Sequence, residues 1–363
     1  MNEVTRAKQA AMYASDKPAI VAHVALLLLS ALPLIVNVPT NFNVVATASL
    51  AVYCGSWRSI KIEPITESMS GKDALKFPLV GSCMLFGLFL LFKFIPARIV
   101  NALLSLYLGS IAVFVLTACI TPYVQDVFPT TLRSRECKAP PFQIPYVLDA
   151  TKENQLTATI SQIFVGLVAL GFCGWYYFTK FWFSNNILGL AFCLEGIEHF
   201  SLGSVQTGTI LLVGLFFYDI FWVFCTPVMV SVAKNFDAPI KLLFPRALDA
   251  LGKRPFSMLG LGDIVIPGFF VALMLRYDLQ NGFRTKYFQS CFGGYVLGLT
   301  ATLAVMIYFN AAQPALLYIV PSILGCTGIH AWTQGEFKKV FEHSETVTVV
   351  EEQKTTEDSK KSQ

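Results

Sequence analysis

The stretch Leu211-Leu-Val-Gly-Leu-Phe-Phe-Tyr-Asp219-Ile-Phe-Trp-Val-Phe224 places one acid among large apolar side chains. No lysine or arginine lies within 14 residues of Asp219 in either direction, so no local ion pair can neutralise its charge. A run of about 20 apolar residues is long enough to cross a hydrocarbon core of about 30 Å as a helix. The stretch therefore predicts a membrane-spanning helix that carries a carboxylate.

The rest of the chain also has the composition of a membrane protein. Hydrophobic residues make up 55% of its 363 positions and charged residues 14%, against about 25% charged residues in a soluble domain. The mean hydropathy is +0.58. Ten apolar blocks have the length of a membrane span: 19–36, 42–57, 77–94, 99–120, 160–178, 182–199, 207–227, 256–275, 288–308 and 313–331.

These blocks predict an all-α fold, a polytopic transmembrane helical bundle of nine spans, or ten if the first block crosses. Pro33 interrupts that first block and basic residues precede it, so it could instead be a signal sequence or a non-spanning segment. When the 27 lysines and arginines are assigned to loops, most fall on the side that holds the C-terminus. The positive-inside tendency then predicts a cytosolic C-terminus.

The end of the chain changes character. Residues 342–363 are rich in Glu, Lys, Thr and Ser, which predicts a disordered polar tail after a membrane-embedded domain formed by residues 1–341. Lys361 is the third residue from the C-terminus and Lys360 the fourth. This pattern resembles the dilysine signal for return to the endoplasmic reticulum, with a solvated charge cluster as the alternative.

Several classes of function find no support in the sequence. The net charge of +4 is small, no basic face or phosphate-binding loop suggests a nucleic-acid or nucleotide partner, and neither His-Glu-x-x-His nor Gly-x-Ser-x-Gly occurs. Glu195, Glu198 and His199 share one helical face and could suggest metal ligands. They lie at the end of an apolar block, where we interpret them as ordinary interfacial groups. We expect neither a metal nor a cofactor.

A second acid lies in the next apolar block, in Met258-Leu-Gly-Leu-Gly-Asp263-Ile-Val-Ile-Pro-Gly268. Pro227 follows Asp219 by eight residues, and Pro255 precedes Asp263 by the same distance. If these prolines mark the ends of the helices of blocks 207–227 and 256–275, both carboxylates lie about 12 Å deep from the same face of the membrane. Consecutive spans can pack as antiparallel neighbours, so the two aspartates could meet.

Spacing alone leaves three interpretations of this pair open. Two carboxylates in a low-dielectric site cannot both ionise easily, so one can keep a proton while the other acts as a base toward water, as in aspartic proteases. A proton- or cation-coupled transporter or channel could use the same two acids. Each acid could also be structural, with hydrogen bonds to backbone groups.

Three short motifs distinguish between these interpretations. Tyr218-Asp219, Gly260-Leu261-Gly262-Asp263 and Gln313-Pro314-Ala315-Leu316 occur in this order on three predicted spans. Together they resemble the signal peptide peptidase family, the presenilin-like intramembrane aspartyl proteases marked by Tyr-Asp, Gly-x-Gly-Asp and Pro-Ala-Leu. The likeness extends from about Phe77 to Pro321.

The resemblance implies a function and a set of roles. Asp219 and Asp263 would be the catalytic pair of an aspartic endopeptidase in the endoplasmic reticulum membrane, with Pro-Ala-Leu on the span 313–331. The substrates would be membrane-spanning peptides, such as remnant signal peptides and single-span membrane proteins, in contact with the lipid bilayer. Whether the chain forms a homo-oligomer is left open. The residues implied to support the site are Tyr218, Gly260, Gly262, Gln313, Pro314, Ala315 and Leu316.

Overall fold

A computed structural model describes residues 17–60, 69–124, 128–129, 136–138, 157–235, 239–246, 255–309 and 313–345. The helices of the first half are α1 (Lys17–Ala31), α2 (Thr40–Arg58), α3 (Gly71–Phe94), α4 (Ala97–Val124), α5 (Ile160–Thr179) and α6 (Trp182–His199). Those of the second half are α7 (Val205–Phe224), α8 (Val228–Asn235), α9 (Gly262–Gln280), α10 (Tyr287–Phe309), α11 (Leu316–Thr333) and α12 (Phe337–Phe341). A short 3₁₀ turn, Leu32–Leu34, follows α1 at Pro33.

The helices confirm a polytopic helical membrane protein. Within the described residues, six helices are long and apolar enough to cross a bilayer, namely α3, α4, α5, α7, α10 and α11. The predicted blocks 42–57, 182–199 and 256–275 are also largely helical, as α2, α6 and α9. Their neighbours cover much of their surface, and α6 buries polar residues such as Asn185 and Glu195. Helices enclosed in this way need no continuous apolar surface.

The all-α prediction needs one addition, because the described residues also contain four short strands. Strand β1 (Glu136–Lys138) pairs antiparallel with β2 (Thr157–Thr159), and β3 (Lys241–Pro245) pairs antiparallel with β4 (Phe256–Gly260). Block 256–275 is therefore a strand followed by a helix that begins only at Gly262. A short apolar run beside Gly and Pro cannot be told from a helix by periodicity alone.

Helix α9 forms the centre of the bundle, in contact with α2, α6, α7, α10 and α11. Every residue from Pro267 to Asp278 is buried. Gly268 lets α6 approach closely, because a Cβ there would lie 2.6 Å from Cδ1 of Ile197. The helices α3, α4 and α5 lie further out and expose large apolar side chains, as lipid-facing helices do. This arrangement encloses α9 from Pro267 onward and leaves Asp263, in its first turn, half-buried.

The first residues of the predicted tail belong to the folded bundle. Glu345 is buried, accepts a hydrogen bond of 2.7 Å from Nε of Arg276, and donates its backbone N–H to the carbonyl of Gly203 at 2.8 Å. The boundary expected at residue 342 therefore lies after residue 345, because a distant arginine neutralises an acid that looks like part of a polar tail. Residues 346–363, with Lys360 and Lys361, lie outside the described residues.

Candidate active site

Helix α7 presents Asp219 to the interior of the bundle. The hydroxyl of Ser204 caps the start of the helix by accepting the N–H of Thr207. Near its other end, Nε1 of Trp222 donates to Oγ of Ser82 at 3.0 Å and fixes α7 against α3. Asp219 is only 6% exposed, and its Oδ2 accepts a hydrogen bond of 3.1 Å from the backbone N–H of Leu316.

This hydrogen bond joins two of the predicted motifs, Tyr-Asp and Pro-Ala-Leu. Leu316 is the first residue of α11, where backbone N–H groups have no partner within the helix. Pro314 and Ala315 precede it outside the helix and are buried. Gln313 lies at the edge of this turn, where its Oε1 accepts from the hydroxyl of Tyr318 at 3.4 Å. The start of α11 therefore supplies a backbone donor to Asp219.

Two glycines on α10 bring α11 to this position. A Cβ on Gly298 would lie 2.6 Å from Cα of Ile319, and one on Gly294 would lie 2.7 Å from the carbonyl oxygen of Ser322. Larger residues at either position would push α11 away. This pair is not among the residues predicted from the sequence, although glycines four residues apart in an apolar segment indicate close helix packing.

Asp263 is the second residue of α9 and is half-buried. The hydroxyl of the fully buried Tyr295 donates to its backbone carbonyl at 3.4 Å. A Cβ on Gly260, at the end of β4, would lie 3.4 Å from Oδ2 of Asp263. Glycine therefore keeps the space beside the carboxylate open, while Gly262 begins the helix. Tyr295 is a second contact that the sequence did not reveal.

The helices that carry the two aspartates, α7 and α9, contact each other, and Asp263 is within electrostatic range of Asp219. Among the residues that the structure describes, no lysine or arginine forms an ion pair with either of them. The expectation that prolines bound both helices holds for α7, which ends at Phe224 shortly before Pro227, and fails for α9, which begins at Gly262 rather than at Pro255. Asp219 lies five residues before the end of α7, and Asp263 lies in the first turn of α9, because residues 256–260 form a strand.

Tyr218 faces a different direction from its neighbour Asp219. Its ring lies beside α3, where Cε2 would be 3.6 Å from a Cβ on Gly81, and next to Trp222, with ring centroids 6.3 Å apart. The side chain thus contributes to the packing of α3 against α7.

Glu195, Glu198 and His199 come together as the sequence suggested, with one ligand atom of each within 4.8 Å of the others. The interpretation of these acids as interfacial groups needs correction. Glu195 is buried, and Arg58 donates to both carboxylates, from Nη2 to Glu195 at 2.5 Å and from Nε to Glu198 at 2.6 Å. A guanidinium therefore occupies the position that a cation would need.

The apolar helices define a polytopic membrane protein. Inside it lie two aspartates that form no ion pair with a lysine or arginine of the described residues. Comparison with known proteins gives the family. The model of the signal peptide peptidase family matches residues 61–347. The signal peptide peptidases of Homo sapiens and Mus musculus are 39% and 40% identical over 311 residues, which cover 82% of this chain and 81% of theirs.

A third relative, described as a probable intramembrane protease of Schizosaccharomyces pombe, is 34% identical over 321 residues, with 85% of this chain and 96% of the relative covered. The chain belongs to the signal peptide peptidase family. It is an intramembrane aspartic protease, and the transporter interpretation finds no support.

Proposed function

We propose that Asp219 and Asp263 are the catalytic pair of this protease, and that it hydrolyses peptide bonds within membrane-spanning helices, such as remnant signal peptides and single-span membrane proteins. One observation carries the assignment. Oδ2 of Asp219 accepts the N–H of Leu316 at the start of the Pro-Ala-Leu helix, α7 contacts α9 with Asp263 in electrostatic range, and no lysine or arginine of the described residues pairs with either acid.

The chemistry follows from the proximity of two carboxyl groups in a medium of low dielectric constant. One carboxyl keeps its proton, because two adjacent charges are costly there. The other takes a proton from a water molecule, whose oxygen then forms a bond to the carbonyl carbon of the substrate. The C–N bond breaks as the leaving nitrogen receives a proton, which leaves a new carboxyl group and a new amine. The bond from Leu316 holds Asp219 in place through these steps.

We propose nine membrane spans, formed by α2, α3, α4, α5, α6, α7, α9, α10 and α11. Helix α1, with the 3₁₀ turn at Pro33, would be an additional segment at the N-terminus. The helices α2, α6 and α9 complete this count, because they contact one another and bury much of their surface. A homo-oligomer is compatible with the proposal and is not required by it.

A reconstitution experiment tests this function. The purified protein in liposomes should cleave a synthetic signal peptide, and a transition-state analogue directed at aspartic proteases should block cleavage and label the protein. Replacement of the exposed Asp73 by alanine is the matched control and should leave the rate unchanged. A parent protein that carried protons or cations and left the peptide intact would overturn the proposal.

For its location we propose the endoplasmic reticulum membrane, with a cytosolic C-terminus and Lys360 and Lys361 as a retrieval signal. The excess of basic residues on the side of the C-terminus supports this orientation. Replacing both lysines with serine should send the protein beyond the endoplasmic reticulum, as fluorescence microscopy of the tagged chain would show. An unchanged distribution would contradict the retrieval role of the two lysines and would leave the proposed protease function unaffected.

A further inference from the structure

The hairpin of β3 and β4 determines where the helix of Asp263 begins. The backbone N–H of Leu261 donates to the carbonyl of Ile240 at 3.0 Å, which extends the pairing beyond β4. Only Gly262 separates this last bond of the hairpin from Asp263. A shift of the hairpin would therefore move the carboxylate with it.

One asparagine of α6 holds the outer edge of β3. Oδ1 of Asn186 accepts the N–H of Leu243 at 2.7 Å, and its Nδ2 donates to the carbonyl of the same residue at 2.8 Å. A single amide side chain thus satisfies both backbone groups of one strand residue, as a neighbouring strand would. Because buried backbone groups need such partners, this contact fixes the position of β3 relative to α6.

The preceding residue extends the contact along the same edge. Nδ2 of Asn185 donates to the carbonyl of Lys241 at 2.7 Å, two residues before Leu243. Its Oδ1 accepts from the hydroxyl of Tyr176 on α5 at 3.0 Å, so the amide is held from both sides. Asn185 and Asn186 are each only 4% exposed.

Apolar packing one turn further along α6 acts on the same segment. A Cβ on Gly189 would lie 2.8 Å from Cδ2 of Leu242 and 3.3 Å from Cδ2 of Leu261. The absence of a side chain at Gly189 therefore lets both the hairpin and the residue after it lie directly on the helix. Asn185, Asn186 and Gly189 together form a surface that we name the α6 platform.

We propose that the α6 platform consists of positioning residues for Asp263, which act through the hairpin and do not touch the substrate. This inference rests on the proposed catalytic role of Asp263. Polar side chains inside a membrane domain are costly unless they are satisfied, and here the bonds of two of them converge on one strand. A reacting group displaced by about 1 Å can lose about 100-fold in rate.

The test compares three asparagine variants by kcat, KM and thermal midpoint on a synthetic signal peptide. Asn186→Leu keeps the volume and removes both bonds, while Asn186→Gln keeps the amide and should recover part of the rate. Asn186→Leu should lower kcat about 10- to 100-fold with KM nearly unchanged. Affinity for a transition-state analogue should fall in parallel. Asn281→Leu, at the far end of α9, is the control and should change only the thermal midpoint.

Two further variants keep the test decisive if Asn186→Leu fails to fold. Tyr176→Phe removes the hydroxyl that donates to Oδ1 of Asn185 and should lower kcat several-fold with a modest fall in thermal midpoint. Gly189→Val removes no hydrogen-bonding group, displaces the hairpin from α6, and should lower kcat in the same way. Parental kcat per folded molecule in both of these variants would overturn the inference, as would parental kcat in a folded Asn186→Leu.

An Asp263→Ala variant in the same series separates the two proposals. If Asp263→Ala still cleaves the peptide, the proposed function itself is wrong. If Asp263→Ala is inactive while the platform variants have the kcat of the parent, only the positioning role is wrong. If Asp263→Ala is inactive and the platform variants lose kcat as expected, both proposals hold.

Discussion

Two pairs of acids inside this bundle differ in one respect, the presence of a cation partner among the described residues. Glu195 and Glu198 share the guanidinium of Arg58, which contacts both at 2.5–2.6 Å. Asp219 and Asp263 have no such partner among the described residues, and Asp219 relies on one backbone N–H. The first group joins α2 to α6 through Arg58. In the second group, Asp219 on α7 bonds to the start of α11, and Asp263 lies in the first turn of α9.

The difference separates acids that stabilise the fold from acids that are available for chemistry. A buried ion pair recovers the cost of taking its charges out of water only while both partners remain. Carboxylates without a cation leave that cost in place, and intramembrane groups of this kind mark functional sites. Loss of stability should therefore follow mutation of the first group, and loss of activity should follow mutation of the second.

Removal of the shared cation should have the largest effect on stability. Arg58→Met removes the guanidinium that the buried Glu195 and the partly buried Glu198 share, and we expect the free energy of unfolding to fall by about 3–5 kcal/mol. Thermal and denaturant unfolding in detergent would measure the change. Lys338→Met removes one cation from an exposed pair with Glu342 and should be close to neutral. Equal effects in the two variants would mean that the Arg58 contacts contribute nothing to stability.

Loss of one acid from the same cluster should have a smaller effect. Glu195→Gln keeps a side-chain oxygen near Arg58, which remains paired with Glu198, so we expect a loss of about 1–3 kcal/mol. Peptide cleavage per folded molecule should stay within about threefold of the parent, since this site lies outside the proposed dyad. Activity that disappeared in this variant and returned with added metal would show that these acids form a metal site.

The smallest change in stability is expected for the aspartates. Asp219→Ala removes a buried carboxylate without a cation partner, which offsets the lost bond to Leu316, so the thermal midpoint should hold or rise. The thermal midpoint of Asp263→Ala should behave in the same way. A marked drop in thermal midpoint for both variants would place the aspartates with Glu195 and Glu198, among the acids that stabilise the fold.

The sequence predicted the helical membrane fold and the motifs of the candidate site, but not how the chain brings them together. Tyr-Asp, Gly-x-Gly-Asp and Pro-Ala-Leu are local patterns and can be read directly. The bond from Leu316 to Asp219 joins residues 97 positions apart, and that between Arg58 and Glu195 joins residues 137 apart. Such contacts depend on helix packing, which periodicity does not specify.

The strand before Asp263 was missed for a local reason. Residues 256–260 are apolar enough to continue a membrane helix, and the strand forms because β3 pairs with it on one side. The asparagines of α6 that hold β3 lie within the predicted apolar block 182–199. Two adjacent asparagines in such a block were the one indication that polar backbone lies next to this helix.

The cleavage rates of the alanine variants of Asp219 and Asp263 test the central claim most directly. Single-turnover rates on a synthetic signal peptide should be measured for the parent, Asp219→Ala, Asp263→Ala and the double variant, each shown to be folded. Groups that act as one unit are strongly non-additive, so each single variant should be inactive and the double variant no worse than either. Appreciable cleavage by a folded single variant would contradict the dyad.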